Sequence, residues 1–260
     1  MRLQNKVALV TGAADDRSIG WGIAKALAEE GAALILNDLP SQQESLAARV
    51  ETIRQMGRRA VAAPADITDP EQVRAMMETG VGGLGRLDIA VSNAGVIRWE
   101  HFLDIKPQTL RAIAGVNLKG NMLVCQAAAE QMIEQGQGGR IIITSSVQAY
   151  FHFPITPVYG GTKHAMHIFV GALALELAPH GITVNHFGPG WVQTAMNDPS
   201  PELKTALDLA HQRTVIPLRR AGTIEEMGRA AVYFATEDGA YTTGAFIRVD
   251  GGLGIGKYSY

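Results

Sequence analysis

The chain has 260 residues, 47% of them hydrophobic and 18% charged, with a formal net charge of -2, the composition of an ordinary globular protein. That charge gives no electrostatic reason to expect nucleic acid or an anionic membrane as a partner, and no apolar run approaches the roughly 18–20 residues that cross a bilayer. Cys125 is the sole cysteine, so no intrachain disulfide can form, and a reducing, cytoplasmic location is expected.

The first apolar stretch is too short for the core of a signal peptide and runs straight into a predicted strand. Short aliphatic or β-branched runs at 7–10, 34–37, 61–63, 89–92, 141–144, 183–187 and 246–249 read as strands. Most are continuously apolar, as central parallel strands covered on both faces should be. Helical stretches separate them. Asp69-Pro70-Glu71 reads as an N-cap with proline at the first helical position. Thr156-Pro157 does the same for the helix carrying Tyr159, and Pro179-His180-Gly181 ends that helix. Thr223 and Glu226 have capping-box spacing. The alternation predicts one α/β domain over 1–260, a doubly wound Rossmann fold with a seven-stranded, mostly parallel sheet and helices on both faces. The polar, proline-punctuated stretch 197–215 reads as a substrate lid.

After the first strand, T-G-A-A-D-D-R-S-I-G-W-G leads into a helix. Gly12, Gly20 and Gly22 stand where backbone must pass close to a ligand and where helix amides can meet a pyrophosphate. Eighteen residues past Gly20, Asp38 closes the second strand, where an acid can accept hydrogen bonds from ribose hydroxyls.

The chemistry is carried by S-S-V-Q-A-Y-F-H-F-P-I-T-P-V-Y-G-G-T-K. Tyr159 and Lys163 are four residues apart and share a helix face. A free tyrosine titrates near pH ~10, and a lysine ammonium within about 4–6 Å is expected to lower that value and make a usable acid/base. Ser146, just before this loop, can hold a substrate oxygen against the phenol.

In order along 7–252, these residues resemble the short-chain dehydrogenase/reductase family. The resemblance rests on T-G…G at 11–20, D-I-T at 66–68, N-A-G at 93–95, Asn117 in G-V-N-L-K-G, and Ser146 thirteen residues before Tyr159. P-G-W-V-Q-T at 189–194 and V-D-G-G at 249–252 complete it. It implies Tyr159 as acid/base and Lys163 as its partner, bonded also to the nicotinamide ribose. Ser146 would position the reacting oxygen, and Asn117 would hold a water in a proton relay to Lys163. Gly12, Arg17, Ser18, Ile19 and Gly20 would meet the cofactor at the glycine loop and Asp38 its ribose. Asp66 with Ile67 would meet the adenine, and Asn93 with Gly95 would flank the adenosine side. Pro189, Gly190, Val192 and Thr194 would line the nicotinamide end, Thr194 at the amide.

The glycine loop departs from T-G-x-x-x-G-x-G by two extra residues, with Ser18 in place of a glycine. That lengthened loop is similar to the enoyl-acyl-carrier-protein reductase branch, whose tyrosine and lysine are spaced about seven apart. A spacing of four, with Ser146 in place, favours carbonyl/alcohol chemistry. Asp38 followed by Leu39 would repel a 2′-phosphate and favours NAD, while Arg17 keeps NADP as the alternative.

Substrate contacts are expected from Arg98 and Trp99, Gln148 and His152, and Trp191, Met196 and Asn197, in loops at the strand C-termini. S-S-V-Q and the C-terminal R-V-D-G-G-L-G-I-G-K-Y are similar to glucose 1-dehydrogenase-like enzymes of the family. The expected activity is hydride transfer between a nicotinamide cofactor and the hydroxyl or carbonyl of a sugar, polyol or related polar molecule. The alternatives are a 3-oxoacyl thioester reductase and a non-catalytic dinucleotide-binding protein. The resemblance also implies a homotetramer, with the helices of Asn117 and Tyr159 at one interface. The small-residue faces 127–129 and 171–174 suit close helix approach or packing on the sheet. His164, His167 and His180 lack ligand-spaced partners, so no metal is expected.

Overall fold

The computed structural model describes residues 1–197 and 215–255; most of the expected lid, 198–214, lies outside the described residues. The strands are β1 (Val7–Thr11), β2 (Ala33–Asn37), β3 (Ala60–Ala62), β4 (Ile89–Ser92), β5 (Gly139–Thr144), β6 (Ile182–Pro189) and β7 (Phe246–Val249). They form one sheet in the order β3-β2-β1-β4-β5-β6-β7. Every pair is parallel, so among the described residues the sheet is wholly rather than mostly parallel. Each predicted strand is present.

Seven α-helices are described: α1 (Ile19–Glu29), α2 (Gln43–Gln55), α3 (Pro70–Leu84), α4 (Pro107–Ala114), α5 (Asn121–Gln135), α6 (Pro157–Leu177) and α7 (Ile224–Ala235). Alternate residues of the strands enter two separate cores, as a two-residue period requires. Ala8, Val10, Leu34, Leu36 and Phe187 pack with α1, α2 and α7. Val7, Leu9, Ile35, Ile141 and Val184 pack with α3, α5 and α6. The strand order reverses between β1 and β4, whose Val10 and Val91 are in register. Their C-terminal ends therefore open onto the crevice where such folds bind ligands.

The capping signals were mostly local truths. Asp69 accepts hydrogen bonds from the amides of Glu71 and Gln72, and Thr223 with Glu226 makes a full capping box. Gly181, in the left-handed region, follows the short turn that ends α6. Thr156 is the exception. It occupies the N-cap position of α6 without a side-chain cap bond, and its hydroxyl donates to Gln148 Oε1 at 2.7 Å. No helix of the described residues is long and apolar enough to cross a membrane.

Gly22 answers to packing rather than to a ligand. A methyl there would overlap the carbonyl oxygen of Ile224, and one at Gly228 would press on Gly22 and on Ala26. The two glycines thus let α1 and α7 meet backbone to backbone. Gly22→Ala should cost about 1–3 kcal/mol through overpacking, lowering the melting temperature. Gly82→Ala, exposed in α3 with open space around the added methyl, should instead raise stability by about 0.4–1 kcal/mol. Thermal melts of the two variants against the parent check the opposite signs.

Candidate active site

A cleft of about 360 Å³ runs along the C-terminal edge of the sheet. At one end it is lined by Gly12, Ser18, Ile19, Asp38, Asp66 and Ile67, at its middle by Asn93 and Gly95. Ser146, Tyr159 and Lys163 line the other part, with Pro189, Gly190, Val192 and Thr194. One continuous groove therefore joins the acid at the end of β2 to the tyrosine on α6.

The glycine loop is shaped by its own side chains. Asp15 accepts from the Arg17 amide at 2.7 Å, and its carbonyl accepts from the Ser18 amide at 3.0 Å. Ser18 is the N-cap of α1, accepting from the Trp21 amide at 3.0 Å and donating to the Gly12 carbonyl at 3.3 Å. The residue standing where a glycine was expected thus starts the helix and closes the lengthened turn. Ser18 and Ile19 put the positive end of α1 at the cleft wall, suited to an anionic group. Two expected cofactor contacts fall elsewhere. Gly20 does not line the cleft, since its bare α-carbon faces the Gly12 carbonyl and the Asn93 amide. Arg17 is exposed and also outside the lining.

Asp38 is held firmly. One carboxylate oxygen accepts from the Ala14 amide and the other from the Leu39 amide, each at 2.9 Å. Carboxylate oxygens keep further lone pairs for incoming hydroxyls, and the fixed negative charge opposes a phosphate at the same place.

Lys163 is 3% exposed. Its ammonium donates to the Thr144 carbonyl at 2.8 Å and lies 5.6 Å from the centroid of the Tyr159 ring. Burial pushes its pKa down to about 8. The expected lowering of the Tyr159 pKa is not found: burial holds the phenol above its ordinary value, with a Ser146 hydrogen bond pulling the other way. Desolvation disfavours charge on both groups, and the lysine spends a donor on Thr144. Ser146 also accepts from the Gln148 amide at 3.1 Å, which fixes its hydroxyl beside the phenol.

Asn117 lies in a π-helical turn, Gly115–Gly120, between α4 and α5. Its side chain does not line the cleft. The amide oxygen accepts from Val96 N at 2.8 Å, and the amide nitrogen donates to Val96 O at 2.9 Å and to Thr162 Oγ1 at 3.3 Å. A side chain so committed grips the N-A-G loop at Val96.

Among the expected substrate residues, Gln148, Trp191, Trp99 and Met196 line the cleft. Arg98 and His152 do not: both are exposed, and Arg98 turns back to the Ile97 carbonyl at 3.1 Å. The Arg98 neighbours Ile97 and Trp99 take its place. Asn197 ends a short turn, Ala195–Asn197, at the edge of the described residues. Sequence reasoning missed Phe153 and Leu253 in the lining, which no local motif marks. Cys125 is buried and its thiol is pushed up to about 12, as a packing residue would be. Among the described residues no group of three or more His, Cys, Asp or Glu side chains could hold a metal ion.

The profile of the family described as "Enoyl-(Acyl carrier protein) reductase" matches residues 12–254. An L-rhamnose 1-dehydrogenase (NAD(P)(+)) of Sphingomonas sp. (strain SKA58) is 34% identical over 96% of this chain and 97% of its own length. A short chain dehydrogenase from Mycobacterium paratuberculosis, solved bound to NAD, superposes with a TM-score of 0.90 at 32% identity, covering 98% of this chain and 100% of that one. A gluconate 5-dehydrogenase from Burkholderia cenocepacia J2315, solved with NADP and tartrate, gives 0.87 at 33% identity, covering 97% and 96%. Fold and cleft therefore define a nicotinamide-dependent oxidoreductase acting on CH–OH groups. The chain belongs to the short-chain dehydrogenase/reductase family.

The charge states set a pH dependence. If carbonyl reduction draws on the Tyr159 phenol proton beside a charged Lys163, its rate should hold to about pH 8 and decline above, as the ammonium with its pKa of about 8 is lost. In Lys163→Arg, whose guanidinium stays charged, any residual activity should lack that decline. Initial rates from pH 6 to 10 decide it, and a parent profile flat through pH 9 would remove the lysine from the argument.

Proposed function

We propose that this chain is an NAD-preferring dehydrogenase/reductase of a sugar, polyol or related hydroxylated molecule. The observation that carries it is one cleft lined at one end by Asp38 and at the other by Ser146, Tyr159 and Lys163. The residues present fit a dinucleotide: Asp38 for ribose hydroxyls, Ser18 and Ile19 at the helix N-terminus for the pyrophosphate, Lys163 for the nicotinamide ribose. When bound, the nicotinamide supplies the hydride acceptor or donor.

The protein's part is orientation and proton transfer. Ser146 Oγ, anchored by Gln148 N, holds the substrate oxygen next to Tyr159 Oη. Tyr159 Oη gives the proton to that oxygen in reduction and takes it in oxidation. Lys163, fixed by Thr144 O, keeps a positive charge against the ring, and Asn117 keeps the loop at Gly95 in register. Gln148, whose amide oxygen is tied to Thr156, supplies the polar edge for substrate hydroxyls, and Trp99, Phe153 and Trp191 supply faces for its C–H surface.

A second reading, reduction of a 3-oxoacyl thioester or other apolar ketone, is favoured by the apolar lining at Ile97, Trp99, Phe153, Met196 and Leu253. We place the enzyme in the cytoplasm as a homotetramer. The support is a free, buried Cys125 and apolar side chains left in solvent on helices next to the site. Ile168 and Leu175 of α6 are 69% and 82% exposed, and Phe102 and Leu103 before α4 are 74% and 93% exposed. Ala128, Ala129 and Ala174 pack on the sheet, so the small-residue faces only partly serve an interface.

A panel of L-rhamnose, D-glucose, gluconate, 2,3-butanediol and acetoacetyl thioester, each with both cofactors, tests the reading. Turnover should appear with a hydroxylated substrate and NAD, and Tyr159→Phe should lower it by at least ~10²-fold. Activity confined to the thioester would establish the second reading. Asp38→Ser removes the charge at the ribose end and should shift the NAD/NADP ratio of kcat/KM toward NADP by ~10-fold or more, about 1.4 kcal/mol. A parent preference for NADP would overturn the assignment of Asp38.

A further inference from the structure

Asn121, the first residue of α5, is 1% exposed and lies outside the cleft lining. Its amide oxygen accepts from Ser92 Oγ at 2.6 Å, which turns the amide nitrogen the other way. That nitrogen's two hydrogens are shared among three carbonyls: Ala94 at 3.1 Å, Val116 at 3.0 Å and Asn117 at 3.2 Å. Val116 and Asn117 belong to the π-helical turn, and Ala94 to the loop beside the cleft. A side chain bonding back to carbonyls four and five residues earlier competes with regular helix hydrogen bonding, and π turns of this kind cluster at functional sites.

We propose that Asn121 is a positioning residue: with Ser92 as its anchor, it locks the π-helical turn to the N-A-G loop and so sets where Asn117 and Gly95 stand relative to Lys163 and Tyr159. The connections are continuous. Asn117 grips both backbone groups of Val96 and reaches Thr162 Oγ1, which donates to the Tyr159 carbonyl at 2.7 Å. At Gly95, an added methyl would lie 3.4 Å from Asn117 Oδ1 and 3.6 Å from Lys163 Nζ. The loop is thus sandwiched between the asparagine and the lysine, and a shift of the turn displaces both sides. The inference deepens the proposed function and rests on it for its kinetic arm alone.

The test compares parent, Asn121→Leu and Ser92→Ala as full-length enzymes. With the best substrate of the panel, Asn121→Leu should lower kcat by roughly 10- to 100-fold, the scale of a small misplacement of reacting groups. NADH affinity, from its fluorescence, should stay within threefold, and the pH of the decline in reduction should move. Ser92→Ala, which frees the amide to turn, should show the same pattern at about a third of the size on a logarithmic scale. Independently of turnover, hydrogen exchange of the Val96 amide should quicken at least tenfold in Asn121→Leu. A lower melting temperature with parental kcat and pH profile would reduce Asn121 to packing and overturn the proposal, as would parental exchange at Val96. If Asn121→Leu does not fold, a parental kcat and pH profile in Ser92→Ala overturns it equally. A parent inactive with every substrate sinks the proposed function and leaves the exchange arm to decide this one.

Discussion

A buried ammonium must find partners, and here the main-chain carbonyl of Thr144 is the first of them, 2.8 Å from Lys163. That bond ties the middle of α6 to the end of β5 and so fixes the height of the Tyr159 ring above the cleft. The cost of burial is visible on both side chains, the lysine driven down to about 8 and the tyrosine driven up. A pair in which each member is pushed toward neutrality keeps its phenol proton at neutral pH. A phenol so held has a proton to give, and it becomes a base only when charge beside it favours the phenolate. The Ser146 hydroxyl is the neighbour that already pulls in that direction.

The parallel sheet makes this arrangement affordable. Thr11, Asn37 and Ser92 end three strands at one edge, and each is buried with its hydroxyl or amide hydrogen-bonded locally. Thr11 Oγ1 accepts from the amides of Asn93 and Ala94, at 2.9 and 3.0 Å, while Asn37 bonds the carbonyls of Ala63 and Ala65 at 3.0 and 3.2 Å. Polar side chains at strand ends satisfy the backbone of the loops that line the cleft, as buried polar groups must be satisfied. The loops can then be precise without being long.

The sheet was legible because its strands are buried on both faces, so the apolar runs stand out against polar surroundings, and the site was legible where function demands particular residue types close in sequence. Tyr159, Lys163 and Ser146 are of that kind, Asp38 was read from its distance past the glycine loop, and all four line one cleft. What could not be read was direction. Arg98 and Trp99 are adjacent, yet the tryptophan lines the cleft and the arginine faces solvent. Likewise Gln148 and Phe153 line it while His152, between them in sequence, is exposed. Thr156 has the sequence of a cap and serves Gln148 instead. The sign of the tyrosine shift was misjudged for a related reason: spacing reveals a neighbour's charge but not how deeply both groups are buried.

The cleft changes character along its length, and this bears on how it selects. At the cofactor end, carboxylates and a helix N-terminus offer charge and directed hydrogen bonds, which discriminate sharply. Near Tyr159 the polar lining residues are Thr144, Ser145, Ser146, Gln148, Lys163 and Thr194, set among apolar Ile97, Trp99, Val147, Phe153, Trp191, Met196 and Leu253. An apolar wall rejects a wrong substrate only weakly, whereas a committed polar group rejects one that leaves it unpaired. On the proposed function, selectivity among hydroxylated substrates would concentrate on Gln148, with the aromatic faces setting shape, and the cofactor would be chosen by the charge of Asp38.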